Sequence, residues 1–191
     1  GFTGEPYLNN NNDKYSVEFT NCKNSGNVTV SGTYSSNPSI GGFMGINNYD
    51  TILMTSCENS GTVTFSGKAG YVHLGGVIGY DGTNFKFVVD NCVHSGVLKC
   101  TSVMDSGARL GGIIGTYNKD HAASTTVKNC KNLGTVALEG VQTVSETNYR
   151  YIVGGIVGYI ADTLLSIEDC VNGSATDATK GVVTVGTAPS G

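Results

Sequence analysis

Apolar and polar residues alternate with period two in two short segments that recur along the chain. In the first segment an apolar residue stands three positions before a cysteine: Phe19, Met54, Val89, Val127 and Ile167. In the second segment, which follows a glycine, two apolar residues enclose one that is mostly polar: Val28 and Val30, Val63 and Phe65, Leu98 and Cys100, Val136 and Leu138, Val183 and Val185. Because this alternation is typical of a strand with one buried face, both segments are predicted strands.

The segments belong to a repeat that two motifs of fixed phase define. The first motif is Asn-Cys-Lys-Asn-Ser-Gly at residues 21–26, and its cysteine recurs at positions 57, 92, 130 and 170, in steps of 35, 35, 38 and 40 residues. The second motif has the form Leu-Gly-Gly-Val-Ile-Gly and begins at positions 40, 74, 110 and 153. Internal repeats of this length are typical of solenoids.

The repeat predicts an all-β chain that winds as a right-handed parallel β-helix. We expect about four to five coils, one for each repeat of 35–40 residues, with three short strands in each coil and the Gly-Gly motif as the third. Equivalent strands would then stack in parallel, about 4.8 Å apart. The right-handed winding follows from the general preference of parallel crossover connections.

We expect a single β-solenoid domain over residues 1–191 that is a fragment of a longer array. Residues 1–14 would be the end of a preceding repeat and a linker, because Gly1–Gly4 matches the end of the Gly-Gly motif. Residues 15–50, 51–83, 84–120 and 121–162 would be repeats, and residues 163–191 a partial last repeat.

Stacking places equal residues of successive repeats above one another, so two columns are predicted. The first is an inward, structural cysteine column: Cys22, Cys57, Cys92, Cys130 and Cys170. The second is a structural asparagine ladder at a turn, which His94 interrupts: Asn24, Asn59, Asn132 and Asn172. We expect the cysteines to be free thiols that fill the core, because stacked residues lie further apart than the Cβ separation of about 3.8 Å in a disulfide.

The Gly-Gly motif has two adjacent apolar rows, which strict alternation would send to opposite faces. The first row comprises Phe2, Phe43, Val77, Ile113 and Ile156, and the second comprises Met44, Ile78, Ile114 and Val157. Two alternatives remain open at this point. Either one row is exposed and another part of the parent protein covers it, or a bulge turns both rows inward.

Composition and charge narrow the classes of partner. Charged residues make up 14% of the chain, and the formal net charge is −4 with no Lys/Arg cluster, so nucleic acid is not an expected partner. No apolar stretch is long enough to span a membrane. Glycine accounts for 28 of the 191 residues, as suits a chain of many turns and close backbone contacts.

The motif Asn-Cys-x-Asn-x-Gly-x-Val, followed by Val-Gly-Gly-Ile-Val-Gly, resembles the GLUG repeats of bacterial surface proteins. The resemblance covers residues 1–4 and 15–186. GLUG repeats occur in adhesin-like proteins and in non-catalytic parts of immunoglobulin A-specific peptidases. The resemblance therefore implies a β-helical region that is secreted or lies at the cell surface, with no catalytic residues to transfer.

Catalytic and metal-binding chemistry find little support in the sequence. No pair of acids recurs at one phase in adjacent repeats, as a glycoside-cleaving β-helix would require. The three histidines, His73, His94 and His121, occupy unrelated phases, so we expect surface or turn positions rather than a metal site. There is no Cys-x-x-Cys pair for zinc, and no cofactor is expected.

Tyrosines follow each Gly-Gly motif within a few residues and predict an aromatic edge: Tyr7, Tyr49, Tyr80, Tyr117 and Tyr159. Such an edge could bind ligands, or its rings could shield a corner and stack on one another.

The leading hypothesis is a non-enzymatic structural and adhesive module that presents ladders and the loops 33–39 and 141–151 to a host glycan or protein. The alternative is a β-helix that binds or cleaves carbohydrate. Unpaired strands at the two ends would also allow contact with neighbouring repeats of the same protein, or head-to-tail or lateral self-association.

Overall fold

The computed structural model describes residues 16–47, 51–82, 86–102, 104–118, 125–139, 150–161 and 165–186. The described residues form strands, turns and bends, and none of them lies in a helix. Within them there is accordingly no helix long and apolar enough to cross a membrane.

Each of the first four turns contains five strand segments, and the fifth contains three. The first turn comprises β1 (Ser16–Thr20), β2 (Lys23–Asn24), β3 (Val28–Val30), β4 (Ser39–Gly41) and β5 (Met44–Asn47). The second comprises β6 (Thr51–Thr55), β7 (Glu58–Asn59), β8 (Val63–Phe65), β9 (Tyr71–Gly75) and β10 (Ile78–Asp81). The third comprises β11 (Phe87–Asp90), β12 (Val93–His94), β13 (Val97–Cys100), β14 (Gly107–Gly111) and β15 (Ile114–Tyr117). The fourth comprises β16 (Thr125–Lys128), β17 (Lys131–Asn132), β18 (Thr135–Leu138), β19 (Arg150–Gly154) and β20 (Val157–Ile160). The fifth contains β21 (Leu165–Glu168), β22 (Val171–Asn172) and β23 (Val183–Val185).

Equivalent strands of successive turns pair in parallel, so the chain is a parallel β-solenoid, as the repeat predicted. The first sheet has the order β1-β6-β11-β16-β21, the second β2-β7-β12-β17-β22 and the third β3-β8-β13-β18-β23. The fourth sheet is β4-β9-β14-β19, and the fifth is β5-β10-β15-β20. Phe19 pairs with Met54, and Met54 with Val89, so equal positions of the repeat lie one above another.

The number of strands per turn differs from the three expected. A two-residue strand follows each of the five repeated cysteines, and a bend divides the Gly-Gly motif into two strands that belong to the fourth and fifth sheets. At the bend in the second turn, the amides of Val77 and Ile78 both donate to the carbonyl oxygen of Ile113, each at 3.0 Å. Gly75 pairs with Gly111 before the bend and Ile78 with Ile114 after it, so both turns have the same number of residues here and the chain turns a corner without a bulge.

The bend decides between the two alternatives for the apolar rows of the Gly-Gly motif: both rows turn inward, but at a corner of the chain and not at a bulge. Phe43, Val77 and Ile113 are fully buried, and so are their neighbours Met44, Ile78 and Ile114. Both rows point inward, and in the fourth turn Ile156 and Val157 pack partly buried against the same core. Within the described residues, neither row forms an exposed apolar face.

A residue in the left-handed region turns the chain immediately before each of the five repeated cysteines. These residues, with their φ values, are Asn21 (54°), Ser56 (54°), Asn91 (52°), Asn129 (53°) and Asp169 (49°). Asn and Asp tolerate this conformation better than other residues with a Cβ. The backbone of this corner therefore accounts for the asparagine that precedes three of the five cysteines.

The described residues form two apolar cores. The cysteine-side core lies between the first and fifth sheets and includes Ile52, Met54, Cys57 and Phe87. The second core lies between the third and fourth sheets and includes Phe65 and Leu98 in the middle turns. Because both cores continue through neighbouring turns, each turn buries its apolar residues against the next one.

Candidate functional site

The five in-phase cysteines form a column in the cysteine-side core. The amide of Glu58 donates to the carbonyl of Cys22 at 2.9 Å, and the amide of Val93 donates to the carbonyl of Cys57 at 2.8 Å, so each cysteine lies above the one before. All six cysteines of the chain are free thiols. Cys100 lies instead in the second core, where burial raises its pKa to about 11. A thiol that stays protonated at neutral pH is a weak nucleophile, which suits Cys100 to a packing role, and the column cysteines pack in the same way in the cysteine-side core.

The asparagines form a ladder that separates the two cores. Asn24 donates to Asn59 at 2.9 Å, and Asn132 donates to Asn172 at 2.8 Å. Asn59 also donates to the carbonyl of Gly76 at 2.8 Å, which ties the second strand of its turn to the Gly-Gly bend. Since these amides are satisfied along and across the solenoid, the ladder holds the turns in register.

His94 occupies one rung of the asparagine ladder and is fully buried. Its Nδ1 lies 3.2 Å from the side-chain nitrogen of Asn59, whereas its buried Nε2 has no hydrogen-bond partner. Burial lowers the pKa of His94 to about 4. The expectation of a surface or turn position for this histidine was therefore wrong. His94 occupies the position that Asn59 and Asn132 hold in the neighbouring turns, and this position is buried.

The predicted tyrosine edge needs a correction at Tyr117. Tyr80 and Tyr159 lie half-buried in one row of the fifth sheet, where both pair with Thr116. Tyr117 is one residue further along its strand, so it points to the opposite face, and it is fully buried in the cysteine-side core near Phe87. A shift of one residue in a strand exchanges the faces of the sheet. Tyr7 and Tyr49 lie outside the described residues.

A cleft of about 350 Å³ opens on the outer side of the fourth and fifth sheets. Its lining combines aromatic, amide and basic groups: Asn37, Ser39, Ile46, Tyr71, His73, Tyr80, Arg109 and Asn118. Ser39, His73 and Arg109 are paired neighbours along the fourth sheet, and Ile46 pairs with Tyr80 along the fifth. This volume is at the lower end of the range for small-molecule sites, about 300–1,000 Å³.

Aromatic contacts hold the basic groups of the cleft in place. The guanidinium carbon of Arg109 lies 3.7 Å from the ring centroid of Tyr159 and 4.8 Å from that of Tyr71, both within the range of a cation–π interaction. The ring of His73 stacks on Tyr71 with a centroid distance of 5.7 Å and lies 5.0 Å from the ring of Tyr80.

His73 is buried and uncharged beneath these rings. Its Nδ1 forms a hydrogen bond of 2.7 Å with the hydroxyl of Thr116. Burial, and then the positive charge of Arg109, lower the pKa of His73 to about 4. The surface position expected for His73 was thus also wrong, and His121 lies outside the described residues. At neutral pH, Arg109 supplies the positive charge of this cleft.

The repeat pattern did not indicate this cleft, because Tyr71, His73 and Arg109 each occur once in their rows. A search for constant positions finds what the turns share, which is the core. The available signal was the outward position immediately before each Gly-Gly motif, occupied by Ser39, His73, Arg109 and Ile152. The residue type in this row differs in every turn, so each turn can place a different side chain on the outer surface.

The described residues contain no group of three or more His, Cys, Asp or Glu side chains that could hold a metal ion. Comparisons of the chain with family models, with curated proteins and with solved structures found no match. The resemblance to GLUG repeats accordingly stays a prediction from the two motifs, while the parallel β-solenoid is established by the strand pairing.

Proposed function

We propose that this chain is a non-enzymatic structural and adhesive module of a secreted or cell-surface bacterial protein. The observation that carries the proposal is the difference between the inward and the outward positions of each turn. Inward positions stay apolar from turn to turn over two continuous cores, whereas outward positions such as His73 and Arg109 change their chemical type. A repeated interior gives a stiff spacer, and a variable exterior gives it room for binding side chains.

The adhesive role is tested by displaying the chain on a bacterial cell that lacks it and measuring attachment to surfaces coated with host glycans or matrix proteins. We expect attachment to rise with display and to disappear when soluble chain is added in excess. Attachment equal to that of undisplayed cells on every surface would contradict the adhesive part of the proposal. Release of new reducing or unsaturated sugar ends by the purified chain would contradict its non-enzymatic part.

A β-helix that binds carbohydrate is the second candidate, and the cleft favours it. Tyr71 and Tyr80 present half-buried rings beside amide groups, a combination suited to sugars, which have both apolar faces and hydroxyl groups. Saturable sugar binding that is lost in Tyr80→Ala and kept in Tyr34→Ala, a tyrosine away from the cleft, would support it. Binding that survives Tyr80→Ala would place sugar recognition elsewhere on the chain.

A further inference from the structure

Arg109 has a positive charge that no described carboxylate balances. Lys23, Lys99 and Lys128 each form an ion pair with an acid, at 3.3, 2.9 and 3.3 Å, whereas no described Asp or Glu pairs with Arg109. The Nε atom of Arg109 is buried and has no hydrogen-bond partner. Because Nε is enclosed, a ligand in the cleft would meet the terminal N–H groups of Arg109, and a guanidinium without a described ion-pair partner favours an anion there.

Two tyrosine rings hold the guanidinium of Arg109 in the cleft. The guanidinium carbon lies over the rings of both Tyr71 and Tyr159, an electrostatic contact that does not pair the N–H donors with an acceptor. The N–H donors of a guanidinium lie in its plane and form a fork that matches the two oxygens of a carboxylate. The two rings therefore limit the motion of the guanidinium before a ligand binds, which lowers the entropy lost on binding.

The remaining walls of the cleft fit a sugar ring better than a peptide carboxylate alone. Tyr71 and Tyr80 supply aromatic surface, and Ile46 adds an apolar side chain. Asn37 and Asn118 provide amides at the rim, and Asn118 already donates to the Tyr80 hydroxyl at 3.1 Å. A saccharide offers C–H groups to the rings and hydroxyls to the amides, whereas the side chain of Asp or Glu has only a short aliphatic stem.

We infer that the cleft binds an acidic saccharide, with the carboxylate on the in-plane N–H groups of Arg109 and the sugar ring against Tyr71 and Tyr80. The inference rests on the proposed adhesive role and deepens it by naming the class of ligand. His73 packs beneath the site and is uncharged at neutral pH. The selectivity for an acidic ligand therefore comes from Arg109.

The test is isothermal titration of the purified chain with matched acidic and neutral probes. The acidic probes are trigalacturonate and sialyllactose, and their neutral partners are methyl-esterified trigalacturonate and lactose. We expect at least one acidic probe to bind, and its neutral partner to bind about tenfold to a hundredfold more weakly, as the loss of one charge-assisted bidentate contact implies. A tri-glutamate peptide, which has carboxylates without sugar rings, should bind no better than the neutral probes.

Variants assign the binding to Arg109. Arg109→Gln should lower the affinity for the acidic probe by the same tenfold to hundredfold and leave the affinity for its neutral partner unchanged. Lys68→Gln removes one exposed positive charge outside the cleft and should bind both probes as the parent chain does. Arg109→Lys keeps the charge but loses the planar fork, so its affinity should fall between the two. Circular dichroism and melting of each variant show whether it is folded, and Arg109→Lys replaces Arg109→Gln if the latter is not.

Three results would overturn the inference. The first is that acidic and neutral sugars bind with equal affinity. The second is that folded Arg109→Gln and Arg109→Lys bind the acidic sugar as tightly as the parent chain does. The third is that tri-glutamate binds as tightly as the acidic sugars. Absence of binding by both acidic probes at millimolar concentration would overturn it as well. If the displayed chain still attaches to neutral glycans or matrix proteins in any of these cases, the adhesive role stands without this ligand class.

Discussion

Replacement of His94 by asparagine should make the protein less sensitive to acid. His94 lies in a ladder position that Asn59 and Asn132 occupy in the neighbouring turns, with which it is paired. The substitution removes the buried Nε2 that has no partner and restores an amide that can bond to both neighbours. The altered quantity is the free energy of unfolding and, above all, its dependence on pH.

The magnitude follows from the pKa of His94, which burial lowers from 6.5 to about 4. Between these values the unfolded chain binds a proton at this position and the folded chain does not, so stability falls as the pH falls. The slope is about 1.4 kcal/mol per pH unit, and the whole window from pH 6.5 to 4 amounts to about 3 kcal/mol. Above pH 6.5 His94 is neutral in both states and contributes no pH dependence.

The measurement is urea unfolding of the parent chain and of His94→Asn at several pH values between 7 and 4.5, followed by tyrosine fluorescence, since the chain has ten tyrosines and no tryptophan. Carboxylates and His73 titrate in both proteins and cancel in the difference. The stability of His94→Asn minus that of the parent should therefore grow by about 1.4 kcal/mol per unit as the pH falls below 6.5. The reciprocal variant Asn132→His is the matched control, and its acid sensitivity should increase.

Parallel stability profiles for the parent and His94→Asn would refute the reasoning. Such a result would mean that His94 takes up its proton at the same pH in the folded and unfolded chains, which a fully buried imidazole without an acidic partner cannot do. A profile that crosses in the opposite direction, with His94→Asn more acid-sensitive, would refute it equally.

Further predictions concern the backbone and the cores. Gly76→Ala should destabilise the chain by several kcal/mol because the added Cβ would overlap the backbone of the next turn, whereas Gly70→Ala, whose Cβ meets only a side-chain oxygen at 3.5 Å, should melt within a few degrees of the parent; equal melting of both variants would contradict this packing. Val63→Asp should cost several kcal/mol by placing a charge in the second core, and Thr64→Asp on the outer face should cost about 1 kcal/mol or less; a larger loss for Thr64→Asp would mean that the strand faces the other way. Ser56→Asn should stabilise the chain by about 0.5 kcal/mol because φ is 54° there, and a lower denaturation midpoint would count against the corner geometry.

The architecture was predictable because repetition is itself evidence of stacking. The phase of the cysteines and of the Gly-Gly motif was enough to infer parallel strands in register, and the strand pairing shows that register. Alternation also predicted the buried residues of the middle turns correctly, including Cys100, whereas Ile167, Val183 and Val185 of the last turn are exposed. The right-handed winding stays a prediction from general chirality.

The remaining features depend on single-residue geometry that a repeat pattern does not contain. Tyr80 pairs with Thr116 and not with Tyr117, which stands one residue further along its strand, so the two tyrosines point to opposite faces of the sheet. His94 stands at a ladder position that is buried in the neighbouring turns as well, so its position in the repeat indicated its burial better than its residue type did. The cleft beside Arg109 depends on contacts between different turns, and these contacts appear only once the turns are assembled.

The cysteine column also makes it possible to measure which turns of the solenoid open. Cys57, Cys92 and Cys130 are sealed within the middle turns, while Cys22 and Cys170 are half-buried in the outer ones. A thiol reagent can reach a sealed sulfur only while that turn is transiently detached from its neighbours. The rates at which the five sulfurs are modified would thus rank the turns by the frequency of their separation and show whether the rod frays from its tips or breaks in the middle.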